Sequence, residues 1–386
     1  MRIAYVCTDP GIEIFGTKGA SVHAREMLAA LAALGTEISL LSPRIGTPPA
    51  DAPPLRLLPL PPIPGGAPEA RAAAQHALND EIAAALRAHG PFDLVYERHA
   101  LHAHAAMEEA ARQGIPGLLE VNAPLIEESR RHRVLALPEP AAESTRRAMR
   151  AAALVLAVSA PVAGYARAHG ARRVEVVPNA VDPARFPALD RPADRPAGRP
   201  EGRLTVGFLG TLRPWHDVAT LVAALPLLRR RHPQARLLLV GDGPERERLG
   251  PALAVEPAEV PAWLARMDIA VAPYHGDQPF YFSPLKIYEY MAAGLPVVAS
   301  DVGDLAALVR HGETGLLCPP GDPPALAAAL ARLAGDPAAA RRMGAAGPPP
   351  GPPPPPPPPP PPSLGRHRPP HPLPRRRRPP RASTFH

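Results

Sequence analysis

RIAYVCTDPGIEIFGTKGASVHAREMLAALAALGTEISLL, residues 2–41, reads as strand, glycine-rich loop, helix and strand in succession. Arg2–Cys7 is a short apolar run that breaks off into polar residues, as a buried strand does. The loop Thr8–Gly19 holds Gly11, Gly16 and Gly19. Ser21 then opens a helical pattern with Val22, Met27, Leu28, Leu31 and Leu34 apolar, and Gly35 stops it. Glu37–Leu41 is the next strand. This succession opens a doubly wound α/β fold, in which ligands sit in the crevice beyond the carboxyl ends of the strands.

The alternation continues downstream. Strands are expected at Leu55–Leu58, Leu94–Tyr96, Gly117–Val121, Leu154–Val158 and Val174–Val177. Helices are expected at Glu69–Ala88, His102–Gln113, Glu139–Ala152 and Pro161–His169. That makes one parallel-sheet domain over 1–187. Residues 188–202, which include DRPADRPAGRPEG, are Pro- and charge-rich without periodicity and read as a linker. A second α/β alternation fills 203–347. Its expected strands are Thr205–Leu209, Leu237–Val240, Ile269–Ala272, Val297–Ala299 and Gly315–Cys318. Its expected helices are Val218–Arg231, Val260–Ala265, Leu285–Ala293, Leu305–Val309 and Pro323–Ala334. From Pro348 to His386 the chain turns to polyproline and an Arg/Pro/His mixture that supplies no core, and a disordered tail is expected there.

Bulk composition agrees with two such domains in 386 residues, 46% of them hydrophobic. The net charge of +7 misleads: seven arginines and no acid follow Pro348, so removing them leaves the rest at zero. Basicity confined to the tail gives the two domains no nucleic-acid signal. Two distant cysteines, Cys7 and Cys318, form no disulfide framework or zinc spacing. Met1–Cys7 is too short for a signal peptide, and no stretch approaches the roughly 20 apolar residues of a membrane helix. A cytoplasmic location is expected.

The strongest chemical signal is Phe282–Gly303, FSPLKIYEYMAAGLPVVASDVG. Ser283-Pro284 precedes a helical run, which suggests Ser283 as N-cap and Pro at the first helical position. Backbone N–H groups and the helix dipole then favour an anion, and a diphosphate is the natural guest. Lys286 falls in the first turn, where a cation fits poorly unless it meets that anion. Glu289, one turn on, is placed to accept hydrogen bonds from ribose hydroxyls.

This string resembles the donor site of family 4 glycosyltransferases, retaining enzymes of the two-Rossmann GT-B fold. So do VPNAVD (177–182), VGFLGTLRPWHDVAT (206–220), LLLVGDG (237–243) and TGLLCPP (314–320). The resemblance covers roughly residues 1–345. It implies a nucleotide-sugar donor, with no metal required and no further cofactor, and a saccharide or lipid-linked saccharide acceptor. It places the donor around Gly19, His216, Ser283, Leu285 and Glu289, and the diphosphate on Arg213 and Lys286. The family's usual diphosphate Arg and Lys fall on Thr211 and His216 here, so Arg213 between them is expected to supply the charge. The first Glu of the family's E-x7-E pattern is Tyr281. GTKGASVH (16–23) resembles the family's Gly-rich loop, whose flank meets the acceptor, and Lys18 and His23 are the reactive groups on it. Asn122 stands where many members carry a His against donor sugar and acceptor. Asn is no general base at neutral pH, so the front-face route, in which the leaving phosphate takes the acceptor's proton, fits better.

Some readings stay open. His99, His102 and His104 raise a metal site, but residues two apart on a helix face different ways, and no metal is expected. Arg130, Arg131, Arg133, Arg146, Arg147 and Arg150 concentrate charge on the first domain, as a membrane-facing surface or as a solvated one. The nine residues 251–259 replace a helix, a strand and a base-contacting loop that the family usually carries. A degenerate, inactive nucleotide-sugar-binding relative is therefore the alternative to an active transferase, and the tail is either an interaction module or the product of a shifted reading frame.

Overall fold

The computed structural model describes residues 1–186, 203–277, 280–281, 283–303 and 305–347. The expected linker 188–202 and tail 348–386 lie outside the described residues.

Apolar runs produce two parallel sheets. The first holds β1 (Arg2–Cys7), β2 (Glu37–Ser42), β3 (Leu55–Pro59), β4 (Leu94–Arg98), β5 (Gly117–Val121), β6 (Leu154–Ala157) and β7 (Val174–Val176), in the order β3-β2-β1-β4-β5-β6-β7. Val6 faces Leu41 on one side and Glu97 on the other, and all the pairings are parallel. The second holds β8 (Thr205–Leu209), β9 (Arg236–Val240), β10 (Ile269–Ala272), β11 (Val297–Ser300) and β12 (Gly315–Cys318), in the order β12-β11-β10-β8-β9. The strand order reverses between β1 and β4 and again between β8 and β10. Those two crevices are where such sheets bind ligands.

Helices cover both faces of each sheet. The first domain carries α1 (Gly19–Ala33), α2 (Pro68–His89), α3 (Ala105–Gln113), α4 (Leu125–His132), α5 (Pro138–Ala151) and α6 (Ala160–Ala168). The second carries α7 (Val218–Arg229), α8 (Arg246–Leu249), α9 (Val260–Leu264), α10 (Leu285–Ala292), α11 (Leu305–Leu308), α12 (Pro323–Gly335) and α13 (Pro337–Ala345). Each sheet separates two clusters of buried side chains. Met107, Leu119 and Val155 lie on one face of the first, and Ile3, Tyr5 and Leu40 on the other. Val206, Phe208 and Leu239 lie on one face of the second, and Ala270, Ile287 and Val297 on the other. Each fully buried Leu, Ile or Val contributes about 1.5–3 kcal/mol relative to exposure.

Three departures from the sequence reading have local causes. The helix expected from Ser21 starts two residues earlier, at Gly19, because Lys18 already has extended backbone and its carbonyl accepts from Ser21 and Val22. The helix expected from His102 starts at Ala105. His102 is left-handed at φ 69°, and Asn79 of α2 caps α3 by accepting from the backbone of His104 and Ala105 while donating to the His102 carbonyl. The helices α4 and α13 were not expected. The shortened stretch 251–259 holds only a single bridge, Leu253 to Val240 at the end of β9, and a 3-10 turn at Pro257–Glu259.

Both sheets belong to one compact unit. The chain crosses early, since Val181 and Phe186 already pack in the second domain's core. Tyr281 returns the contact: it is buried among first-domain residues, its hydroxyl donates to Glu128 (3.1 Å), and its carbonyl accepts from Ser159 (2.8 Å).

Candidate active site

The second-domain half is built at the β8/β10 crevice. The turn after β8 takes Gly210 at φ 137°, and the turn after β9 takes Gly241 at φ 135° and Gly243 at φ 157°. A methyl on Gly241 would land on the Gly210 carbonyl, and one on Gly243 on the backbone of Leu212. Glycine is thus required for two backbone turns to touch. Above them lies Lys286, whose Nζ sits 4.3 Å from the Phe208 ring centroid and 5.3 Å from that of Tyr274. The ammonium is buried and has no hydrogen-bond partner among the described residues. Burial pulls it down to about 7 from an ordinary 10.5, against the opposing charge of Glu289. His216 stands beside it, its ring Nδ1 2.5 Å from the Thr211 carbonyl, and burial and then Lys286 hold it well below the usual histidine range. Arg213 is exposed on the same turn, with its guanidinium over the Trp215 ring at 5.5 Å.

The donor helix begins differently from the sequence reading. Pro284, not Ser283, is the N-cap residue, no side chain caps the helix, and Leu285 is the first helical residue. Ser283 is used elsewhere: its Oγ accepts from the Asn179 backbone (2.9 Å) and its carbonyl from the Asn179 side chain (2.7 Å). The PNA turn of the first domain has taken up the cap. The N–H groups of Leu285 and Lys286 come before any intrahelical carbonyl that could receive them, whereas that of Ile287 already donates to the Pro284 carbonyl (3.0 Å). Glu289 lies one turn along, and burial raises its carboxyl to about 7 although Arg185 and Lys286 oppose the shift. Arg185 donates to Glu26 of α1 (2.9 Å) and to the Pro257 carbonyl (3.1 Å), which brings α1 of the first domain up to the donor helix.

The first-domain half lies at the carboxyl ends of β1, β4 and β5. Lys18 reaches the Gly11 carbonyl at 3.5 Å. At Gly19 a methyl would meet nothing within 4 Å, so no protein backbone approaches there. Glu120, near the end of β5, is a buried hub that receives Arg98 (3.0 Å), Tyr96 (3.0 Å), Asn122 (2.5 Å) and the Nε2 of His23 (2.5 Å). Burial alone would raise its carboxyl; Arg98, His23 and Asn122 outweigh that and hold it at about 2. Asn122 is thus committed to Glu120 through its amide nitrogen.

Arg213, His216, Lys286, Leu285 and Glu289 gather on the second domain, and Lys18, Gly19, His23 and Asn122 on the first. Sequence reasoning missed Arg185, Tyr274 and the hub role of Glu120. A charged residue inside the apolar strand GLLEV was the available signal for Glu120. The three histidines are not on a helix together: His102 and His104 precede α3, and burial lowers both. The arginine group is partly neutralised, since Arg147 pairs with Glu108, Arg146 with Glu143 and Arg133 with Glu128. Among the described residues no helix is long and apolar enough to cross a membrane.

Two family descriptions match the chain: Glycosyltransferase Family 4 over residues 17–185, and Glycosyl transferases group 1 over residues 203–336. The chain belongs to glycosyltransferase family 4. A curated member of similar sequence is a glycogen synthase of Mycobacterium tuberculosis, 35% identical over 183 residues, or 44% of this chain and 42% of that protein. The match thus spans less than half of that relative. A D-inositol 3-phosphate glycosyltransferase of Pseudarthrobacter chlorophenolicus is 27% identical and covered to 83% on both sides. Among solved structures, sucrose-phosphate synthase from Thermosynechococcus elongatus superposes with a TM-score of 0.69 at 22% identity, over 89% of this chain and 92% of that one. Anabaena HepE in complex with UDP gives 0.62 at 21% identity, over 89% and 93%. The family 4 chain therefore has the GT-B fold, two Rossmann-like α/β domains.

Proposed function

We propose that this chain transfers a sugar, with retention of anomeric configuration, from a nucleotide-sugar to a hydroxyl of a saccharide or lipid-linked acceptor. The observation that carries the reading is the buried, unpartnered ammonium of Lys286 at the start of α10. A buried cation costs stability unless an anion meets it. The donor's diphosphate is that anion, and its neutralisation by Lys286, Arg213 and the first-turn N–H groups needs no metal. Glu289 takes the ribose hydroxyls. The HepE complex with UDP and the sucrose-phosphate and glycogen synthase relatives agree with such a donor.

As the sugar–diphosphate bond breaks, the acceptor oxygen bonds to the same face of the anomeric carbon, and its proton passes to the departing phosphate oxygen. Rate then comes from stabilising the diphosphate and from alignment. Lys286→Ala should lower turnover on the order of 10²–10³-fold, measured as donor consumption across UDP-, GDP- and ADP-sugars by the full chain. Turnover near wild type in that variant would remove Lys286 from the diphosphate site. The single bridge at Leu253, in the stretch where the family resemblance implies a further helix and strand, supports the second reading, an inactive binder. Nucleotide binding without consumption of any donor would favour it. Membrane contact narrows to α4 and its following loop, where Arg130, Arg131 and Val134 are exposed. Vesicles of anionic lipid should bind the chain at low salt and lose it after Arg130→Glu with Arg131→Glu; absence of binding at low salt would leave that face solvated.

A further inference from the structure

A serine that caps a helix uses two of its groups. The side-chain oxygen accepts from the second or third N–H of the helix, and the carbonyl accepts the first intrahelical bond. Ser283-Pro284 has the sequence for that arrangement, with Pro284 as the first helical residue. Ser283 would then take the N–H of Leu285 or Lys286 on its Oγ and that of Ile287 on its carbonyl. The folded chain has neither bond. Asn179, on the turn after β7, fills both groups at once: its backbone N–H donates to the Ser283 Oγ (2.9 Å) and its side-chain amide to the Ser283 carbonyl (2.7 Å). The hydroxyl proton of Ser283 goes to Tyr288 (3.4 Å). Ile287 donates to the Pro284 carbonyl instead, and Pro284 stays extended at ψ 105°, where a first helical residue needs a ψ of about −42°. Two residues upstream, the Tyr281 carbonyl accepts from Ser159 (2.8 Å) and its hydroxyl donates to Glu128 (3.1 Å), so the chain ahead of α10 cannot rotate into the cap. Asn179, Ser159 and Glu128 all lie in the first domain.

Two backbone donors are left open by this arrangement. Among the described residues no turn, loop or cap bond uses the N–H of Leu285 or Lys286. The buried Lys286 ammonium, which has no hydrogen-bond partner there either, belongs to the same first turn. An unpaired cation and unpaired N–H groups at one helix start are complementary to an anion with several oxygens. We infer that Asn179 is a positioning residue for the diphosphate: reaching across from the first domain, it occupies the capping groups of Ser283 so that the N–H groups of Leu285 and Lys286 stay free for the ligand's oxygens. The local sequence favours a capped helix start, and the contact between domains holds it open. Loss of that contact lets Ser283 swing onto α10 and compete with the diphosphate for the same donors.

This inference rests on the transferase reading, and the experiment separates the two. Full-length wild type, Asn179→Ala, and the double variant Asn179→Ala with Ser283→Ala are titrated with UDP, GDP and ADP by calorimetry. Asn179→Ala should weaken the nucleotide that wild type binds by about fivefold or more, because the Ser283 hydroxyl now competes as a cap. Removing that hydroxyl in the double variant should recover most of the loss. The sign distinguishes the roles. If Asn179 only braced the domains, or if Ser283 itself bound the phosphate, the double variant would be as weak as the single one or weaker. Asn179→Val, alone and with Ser283→Ala, gives the same comparison should the alanine variant fail to fold. Affinity of the single variant within about twofold of wild type, or a double variant no tighter than the single one, overturns the inference and leaves the donor site standing. Failure of all three nucleotides to bind wild type overturns the transferase reading, and this inference with it.

Discussion

Lys286 carries opposite consequences for stability and for function. Burial lowers its folded value to about 7 from an ordinary 10.5. Between those values the unfolded chain holds the proton and the folded chain does not. The cost to stability is therefore absent above about 10.5, grows as pH falls through that window, and is complete below about 7. Lys286→Met should raise the melting temperature of the unliganded protein at pH 7 by several degrees and abolish the upward shift that a bound nucleotide gives wild type. A lower melting temperature in differential scanning would show that the ammonium is stabilised in the empty site. The sequence pointed to this lysine because a cation at a helix start opposes the dipole. It could not show the aromatic walls from Phe208 of β8 and Tyr274 just past β10, which meet only when the sheet forms. Ser283 misled for a related reason: cap-forming side chains are chosen by competition, and the partner 104 residues away, Asn179, is invisible to a local reading.

At the scale of elements, two backbone contacts position the site. The Gly241 turn presses on the Gly210 turn with no room for a methyl, and its φ of 135° is one that only glycine adopts easily. Gly241→Ala should destabilise the second domain by about 2–4 kcal/mol, a combination of strain and overpacking, measured by urea unfolding. A change under 0.5 kcal/mol would mean that the turns can part freely. Asn79 plays the corresponding role in the first domain by capping α3 from α2. Asn79→Ala leaves two buried N–H groups and a carbonyl unpaired and should cost about 2–3 kcal/mol. Most strands were legible because parallel strands buried on both faces read as continuous apolar runs. The helix α4 was not: LIEESRRH has little apolar periodicity and is held by acids in its first turn and bases in its last.

Across the whole molecule, buried ionisable groups of the first domain set a pH profile. Burial holds His99 and His102 at about 4 against an ordinary 6.5, so the unfolded chain takes up protons first and stability falls as pH drops from about 6.5 to 4. Burial raises Glu97 to about 8 from 4.5, so the unfolded chain loses that proton first and stability also falls as pH rises from about 4.5 to 8. Glu97→Gln should therefore gain midpoint stability at pH 8 and none at pH 4.5; an equal gain at both would assign the effect to packing. The two domains are joined through Tyr281 and Asn179, contacts between segments more than 100 residues apart, and through Arg185, which bonds Glu26 of the first domain and the Pro257 carbonyl of the second. Only the family resemblance gave the sequence reading any hold on that pairing. The most direct test of a nucleotide-sugar site between these domains is calorimetric titration of UDP, GDP and ADP into the full chain in the presence of EDTA. One nucleoside diphosphate should bind, and both Lys286→Ala and Glu289→Ala should weaken it at least about tenfold, roughly 1.4 kcal/mol. Binding of none of the three, or binding that both variants leave unchanged, would contradict it.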